Sequence, residues 1–383
     1  MAGKTVVVLG AGVGGLVAAT RLRGLLSKEH RVVLVERNVW HTFAPGFLAV
    51  MLGKKSVQQI SRDLRRLERK GIEFVPAEIV GIDVAGRKVR LHDRELGFDY
   101  LILALGVQYS TGGIPGLATA YTYYHAEGAE AMTGQLEKLT SGHVAIVVPG
   151  VPYKCPAAPY EGALLIDDYY RKKGRRKEVE VHLFTPEPAP LPVAGQAVGH
   201  EVTELLTERG IWFSPNATLK AVDPKAHKLL FEDGSDAPCD LVVGVPFHET
   251  PTLVREAGLA AEGGWVEVDR ETLETAHEGV FAIGDVNNVR LANGKSLPKA
   301  GVFAHGEAEV VARNVAAEIT GGQDLWAFGG EGACFLETGG GKAAYVSGRF
   351  FAEPEPEVEL RGPGRFWRWA KEGFIRSWLW RWF

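Results

Sequence analysis

Residues Lys4–Leu9 read as a buried strand that runs into Gly10-Ala11-Gly12-Val13-Gly14-Gly15 and then a helix through Leu26. Each glycine of this spacing has a separate job. Gly10 permits the tight turn, Gly12 lets backbone approach a pyrophosphate, and Gly15 lets helix and strand pack closely. A second strand, Arg31–Val35, ends in Glu36, about twenty residues beyond the last glycine, where a carboxylate can bind ribose hydroxyls. The glycine spacing alone is weak evidence. Between a strand and a helix, with the acid in place, it specifies a dinucleotide-binding βαβ unit and so an α/β fold.

Asp99–Leu105 forms another buried strand, ending in Gly106, which joins the candidate cofactor-binding residues. Much later, Thr275–Ile283 delivers Gly284-Asp285 to a turn, a position suited to binding a cofactor's ribityl hydroxyl. Leu297-Pro298-Lys299-Ala300-Gly301 then starts a helix, Val302–Ile319, whose first-turn amides suit a flavin's pyrimidine edge. Lys299 is either a counter-charge for a reduced flavin or a plain helix-start lysine. These pieces assemble into one discontinuous cofactor domain, residues 1–110 with 250–325.

The intervening segment, 111–249, opens a second α/β unit with the strand His143–Val148. Its turn is unlike the first. Gly150 stands alone in Pro149-Gly150-Val151-Pro152-Tyr153-Lys154-Cys155-Pro156-Ala157-Ala158-Pro159-Tyr160-Glu161. Prolines and a thiol occupy the places where backbone would approach a second pyrophosphate. A cysteine near a helix N-terminus is expected to be favoured as thiolate by the helix dipole. Glu161, one turn further on, is a candidate for proton handling or a simple helix N-terminal carboxylate.

The 383 residues are ample for two or more cores, and 46% hydrophobic with 23% charged residues describes a globular chain. A net charge of −4 argues against a nucleic-acid binder. Three cysteines do not make a secreted disulfide scaffold. No signal peptide is evident, and no apolar run reaches the roughly eighteen residues that span a bilayer.

After Glu36 the loop Trp40–Phe47 either lines a flavin or nicotinamide or packs as a surface loop. Val57–Lys70 reads as an amphipathic helix with a basic, solvated face, and Glu73–Val84 with Lys88–Leu91 as paired strands. His125 and Cys239 are read as structural. Gly329–Phe335 and Lys342–Phe351 form a hairpin around Gly339-Gly340-Gly341, with Cys334 on its first strand, and Glu353–Pro363 reads as a linker.

The tail, Arg365–Phe383, holds five of the nine tryptophans and five basic residues against Glu372 alone. On a helix Trp367, Lys371, Phe374, Trp378 and Trp382 share a face. Tryptophan with basic residues suits the headgroup layer of an anionic bilayer; the alternative is packing on the body or on a second copy. Residues 326–383 are thus expected to form a hairpin with a membrane-docking amphipathic tail.

The two fingerprints, Gly10-Gly12-Gly15-Glu36 and Gly284-Asp285, resemble those of the two-dinucleotide-binding-domain flavoproteins. Cys155-Pro156-Ala157-Ala158-Pro159-Tyr160-Glu161, Leu297-Pro298-Lys299-Ala300-Gly301 and Cys334 resemble the sulfide:quinone oxidoreductases and their flavocytochrome c sulfide dehydrogenase relatives. That resemblance implies two Rossmann-like domains and FAD, and because the Trp40–Phe47 loop lacks a cysteine the flavin is expected to be held non-covalently. It also implies Cys155 and Cys334 flanking the flavin, sulfide as donor, quinone as acceptor, and peripheral attachment, here expected at the cytoplasmic face of the cell membrane. A homo-oligomer remains open. The chain departs from the better-known members in having Tyr121 to Tyr124 where they carry a third cysteine upstream of His125. A type II NADH:quinone oxidoreductase would need an intact glycine cradle after Val148. A disulfide reductase would need a cysteine pair after Glu36. A flavin-bearing binding protein without turnover is the non-enzyme alternative.

Overall fold

The computed structural model describes residues 3–383. Its first parallel sheet has the order Val280–Ala282, Tyr100–Leu103, Thr5–Leu9, Arg31–Val35, Glu73–Val75. Thr5–Leu9 sits in the middle because its four last residues are apolar and fully buried, which only a strand covered on both faces satisfies. The helices Val13–Leu25 and Gly301–Thr320 pack against each other on one face. Leu16, Ala19, Ala308, Val311 and Val315 fill the layer between them. On the opposite face Leu9, Val33 and Leu103 form a second core with Val254 and the meander Ile79–Asp83, Lys88–Leu91, Glu95–Gly97.

The second parallel sheet runs Trp212–Ser214, Val179–Phe184, Gly142–Val147, Leu241–Gly244. Helix Ala158–Lys172 covers it and is buried along most of its length. On that helix Asp167, fully buried, receives Arg171, Arg176 and Arg209 at 2.8, 2.5 and 2.8 Å. The chain passes between the two sheets through Gln108–Ser110 and Phe247–Glu249, which pair antiparallel. The architecture is α/β, with two Rossmann-like units and a C-terminal sheet and helix.

Four local expectations are corrected. Val57–Lys70 is not one helix. It is a 3-10 turn, Val57–Ile60, a strand, Ser61–Asp63, paired with Trp40–Thr42, and a second 3-10 stretch, Leu64–Lys70. Asp63 breaks the run by accepting a hydrogen bond from Arg65 N, and the buried Leu64 and Leu67 are three apart, the 3-10 repeat. Glu73–Val84 divides, its first strand joining the main sheet and its second the meander. The expected linker contains a strand, Glu357–Gly364, that makes the hairpin a three-stranded sheet. Its alternation of Glu357, Val358, Glu359, Leu360 was hidden among prolines and acids, and Pro363 is tolerated on an edge strand.

The fourth concerns the tail. Arg365–Arg381 is a helix, but of the stripe assigned to a bilayer Lys371, Trp378 and Trp382 are buried against the protein together with Ile375 and Leu379, Trp367 is half-buried, and only Phe374 is exposed. Phe366, Trp369 and Trp380 point outward, 68, 75 and 82% exposed.

Candidate active site

Gly10 lies at φ +94°, and a Cβ there would stand 2.4 Å from the Ala104 carbonyl oxygen. A Cβ on Gly15 would stand 1.9 Å from the Gly10 oxygen. Gly12 differs, because a Cβ on it would meet nothing within 4 Å. It caps helix Val13–Leu25 without a side-chain hydrogen bond, so no cap side chain takes up the first-turn N–H groups, the donor set an anionic pyrophosphate needs. Glu36 stands at the rim, accepting from Ala11 N and Asn38 N, both at 3.0 Å. Gly106, at φ +64°, is equally open. These residues fit the ADP half of FAD.

Gly284 (φ +73°) and Asp285 form a 3-10 turn at the end of the outer strand Val280–Ala282. Glu307, buried on the long helix, accepts from Gly284 N at 2.5 Å and Asn287 Nδ2 at 3.0 Å. Burial pushes its carboxyl up to about 7 against those hydrogen bonds. Lys299 donates to the carbonyls of Asp285 and Asn287 at 2.7 and 2.9 Å, and its ammonium lies 3.5 Å from the Trp265 ring centroid. Burial lowers Lys299 to about 8, partly offset by Asp285 and Glu307. Its side chain therefore fastens the Gly284-Asp285 turn.

The backbone of Lys299 holds the cysteine turn. Cys155 N donates to the Lys299 carbonyl at 2.7 Å, and Ala158 N donates to the Cys155 carbonyl at 2.8 Å. Cys155 adopts φ +52°, uncommon for a side chain other than glycine, so contacts from both units impose this conformation. Cys334 lies on strand Glu331–Gly339, and both thiols are free. Cys334 is exposed at its surface, yet the atoms packed around it desolvate the thiol and raise it to about 11, with Glu161 adding to it and Lys371 opposing. Burial pushes Cys155 higher still, followed by the charge a Cys334 thiolate would carry. The expectation that the helix dipole favours a Cys155 thiolate is overturned, because desolvation outweighs it.

Beside the thiols lies an ion cluster that sequence reading missed. Glu161, Glu337 and Lys371 are all buried. Lys371 Nζ pairs with the Glu161 carboxylate and lies 3.1 Å from Glu337, which also takes Arg368 at 2.9 Å. Glu337 N donates to Glu161 Oε1 at 2.9 Å. Burial raises Glu161 more than Lys371 lowers it, whereas Lys371 and Arg368 outweigh burial at Glu337 and hold it low. Lys371 itself is raised, the two carboxylates overcoming its burial. Nothing in a basic tail signalled this, since only the fold brings residues 161, 337 and 371 together.

At the second sheet the cofactor-like position is filled from within. A Cβ on Gly150 would meet the Phe247 ring at 2.4 Å. Tyr153 donates at 2.7 Å to Glu187, the acid just beyond strand Val179–Phe184. His125, read as structural, caps helix Ala126–Lys138 by accepting from Gly128 N at 3.0 Å. Cys239 is buried in a hydrophobic cluster with Ala145, Val147 and Leu229.

A glycine cradle on one parallel sheet, a second sheet lacking one, and two thiols on separate elements near their junction define a flavoprotein-type oxidoreductase. The chain belongs to the pyridine nucleotide-disulphide oxidoreductase family, which it matches over residues 4–308. It is 26% identical to the sulfide-quinone reductase of Aquifex aeolicus, over 99% of this chain and 91% of that protein. It is 24% identical to the mitochondrial sulfide:quinone oxidoreductase of Mus musculus, over 91% of this chain and 79% of that one. The X-ray structure of the Aquifex aeolicus sulfide:quinone oxidoreductase superposes with a TM-score of 0.90 at 26% identity, covering 99% of this chain and 91% of that chain.

Proposed function

We propose that this protein is an FAD-dependent sulfide:quinone oxidoreductase, oxidising sulfide to sulfane sulfur and passing two electrons to quinone. The observation that carries the reading is the placement of Cys155 and Cys334, from two different structural units, within electrostatic reach of one another beside the flavin-type cradle. Gly10, Gly12, Gly15, Glu36 and Gly106 hold the ADP half of non-covalently bound FAD, and Gly284 and Asp285 its ribityl side. No cysteine precedes Cys155 to form a thioether. Bound FAD supplies the two-electron acceptor between the sulfur chemistry and quinone.

In the oxidised form Cys155 and Cys334 are joined as a disulfide or a sulfur-bridged form of it. Hydrosulfide attacks one sulfur, forming a new S–S bond as a persulfide and releasing the other cysteine as a thiolate. The leaving thiolate is stabilised by the charge of Lys371, whose buried pair with Glu161 lies within electrostatic reach of it. A second hydrosulfide takes the outer sulfur away as HSS− and leaves a cysteine thiolate; the two thiolates then re-form the disulfide, giving up two electrons for which FAD, when bound, would be the acceptor. Cofactor segments 1–110 and 250–325, cysteine-bearing segment 111–249 and C-terminal segment 326–383 divide this work. The antiparallel crossing of Gln108–Ser110 with Phe247–Glu249 supports that division.

No helix of the described residues is long and apolar enough to cross a membrane. We infer peripheral docking through the outward face of the last helix, where Phe366, Trp369, Arg376 and Trp380 line up, on the cytoplasmic side. The filled position around Gly150, Phe247 and Tyr153 disfavours the NADH-driven alternative. The test is anaerobic addition of sulfide, and separately NADH, to the purified yellow protein. Sulfide bleaches the flavin band and micromolar NADH does not; rapid bleaching by NADH alone would overturn the reading.

A further inference from the structure

The last helix reaches the glycine cradle through one histidine. His41, on strand Trp40–Thr42, is 4% exposed and uses both ring nitrogens. Nδ1 lies 2.8 Å from the carbonyl oxygen of Ala11, between Gly10 and Gly12. Nε2 lies 3.3 Å from the indole Nε1 of Trp378. An indole N–H only donates, and a carbonyl only accepts. The tautomer is therefore fixed: Nδ1–H donates to Ala11, and Nε2 accepts from Trp378. Burial lowers the imidazole's pKa, which keeps the ring neutral as that pattern requires.

The relay is embedded in stacked rings. Trp378 stacks on Phe43 with centroids 4.8 Å apart and an 11° interplanar angle. It also contacts His305 of helix Gly301–Thr320 at 5.6 Å. Trp382 meets His305 at 5.5 Å, and the guanidinium of Arg21, from the helix that starts at the cradle, lies 5.3 Å from the Trp382 ring. Phe383 closes on His41 at 5.6 Å. Three surfaces meet here: the Gly10–Gly12 turn, the helix following Gly284-Asp285, and the end of the tail.

We infer that the tail helix is a working wall of the FAD site, with His41 as the positioning residue that couples its seating to the dinucleotide turn. The Ala11 carbonyl is fixed by His41 while the Ala11 N–H is fixed by Glu36. The Gly10–Ala11 peptide is thereby held through its N–H and the Ala11–Gly12 peptide through its carbonyl, and the second of these carries the Gly12 N–H and so sets where the open Gly12 backbone lies. A tail that leaves its seat removes the indole N–H, frees the imidazole to turn, and releases the Ala11 carbonyl. Linkage makes the effect reciprocal: the factor by which a seated tail tightens FAD is the factor by which FAD favours the seated tail.

This inference rests on the FAD reading, and its test separates the two. Holoenzyme is diluted and FAD release followed by the recovery of free-flavin fluorescence, for wild type, Trp378→Phe and His41→Gln. Phenylalanine keeps the ring stack but has no N–H, and glutamine keeps an amide able to reach one partner. Release is expected about tenfold faster in Trp378→Phe, within the roughly 5–150-fold range of site–site coupling, and intermediate in His41→Gln. Amide hydrogen exchange over Phe374–Phe383 is then compared with FAD bound and removed. It should quicken on FAD removal in wild type and change less in Trp378→Phe. Wild-type protein without FAD would sink the cofactor reading. FAD present, with equal release rates in Trp378→Phe or a tail whose exchange ignores FAD, would overturn the coupling alone.

Discussion

Lys371 on the last helix forms a buried ion pair with Glu161, 210 positions earlier and one turn into the helix that follows Cys155. The pair joins the tail to the cysteine turn. Because Glu337, on the Cys334 strand, shares the same ammonium, one cation ties three separate parts of the chain together.

Removing that cation leaves two carboxylates facing each other in a desolvated space. Lys371→Met should destabilise the protein by about 3–5 kcal/mol, the usual cost of stranding a buried charge. Thermal or urea unfolding measures it. Glu161→Gln combined with Lys371→Met should recover part of the loss; an additive further loss would show that the two side chains do not interact.

The raised thiols predict a pH dependence. A thiol whose pKa is raised to about 11 is almost wholly protonated at neutral pH, so iodoacetamide should alkylate Cys334 of the reduced protein slowly at pH 7. Its rate should climb about tenfold per pH unit through pH 9, with no plateau near the ordinary value of about 8.5. Lys371→Met should slow it further, since the ammonium favours the thiolate. A plateau below pH 9 would show that the thiol is not raised.

Two glycines of the same turn should fail in different ways. Gly15→Ala places its Cβ against the Gly10 oxygen and should cost folding itself, seen as a lowered Tm or insoluble protein. Gly12→Val has room in the protein and should fold with an unchanged circular dichroism spectrum. It should bind no FAD, because the side chain fills the pyrophosphate's place. Equal FAD content in Gly12→Val and wild type would mean that the cofactor lies elsewhere.

Cys155→Ala and Cys334→Ala should each keep FAD and fold but lose sulfide-dependent quinone reduction by orders of magnitude, measured as turnover per bound flavin. Cys239→Ala should cost only a small packing defect, since that thiol sits among aliphatic side chains. Wild-type turnover in either of the first two variants would end the two-cysteine mechanism.

The faces of the tail should separate by function. Trp369→Ser with Trp380→Ser should release the protein from anionic vesicles without loss of FAD, because both rings point away from the body. Salt should weaken wild-type binding, each interfacial arginine contributing about 1 kcal/mol. Unchanged vesicle sedimentation in the double variant would show that this face does not dock.

Local patterns carried the first sheet, the glycine cradle and the turn bearing Gly284-Asp285. A buried central strand, a turn needing positive φ and a helix packed against backbone each restrict residue type within a few positions, so Gly10, Gly12, Gly15 and Glu36 could be read in order. The same holds for the missing second cradle, visible as Pro149 and Pro152 around Gly150. Sequence also read Cys239 as a small buried hydrophobe, and it lies among Ala145, Val147 and Leu229. It erred where composition masked periodicity, as in the strand Glu357–Gly364, and where a helical stripe had two faces and no stated partner.

Only tertiary structure decided what each face of the tail meets, why the thiols are held protonated, and that Lys371 belongs to Glu161. Amphipathic spacing shows that Trp378 and Lys371 share a face, but not whether that face meets lipid or protein. Likewise, a cysteine's pKa depends on how much water the packed chain leaves around it and on charges from residues 161 and 371. Those are properties of distance in space, and burial against elements remote in the chain, which no spacing along the sequence encodes.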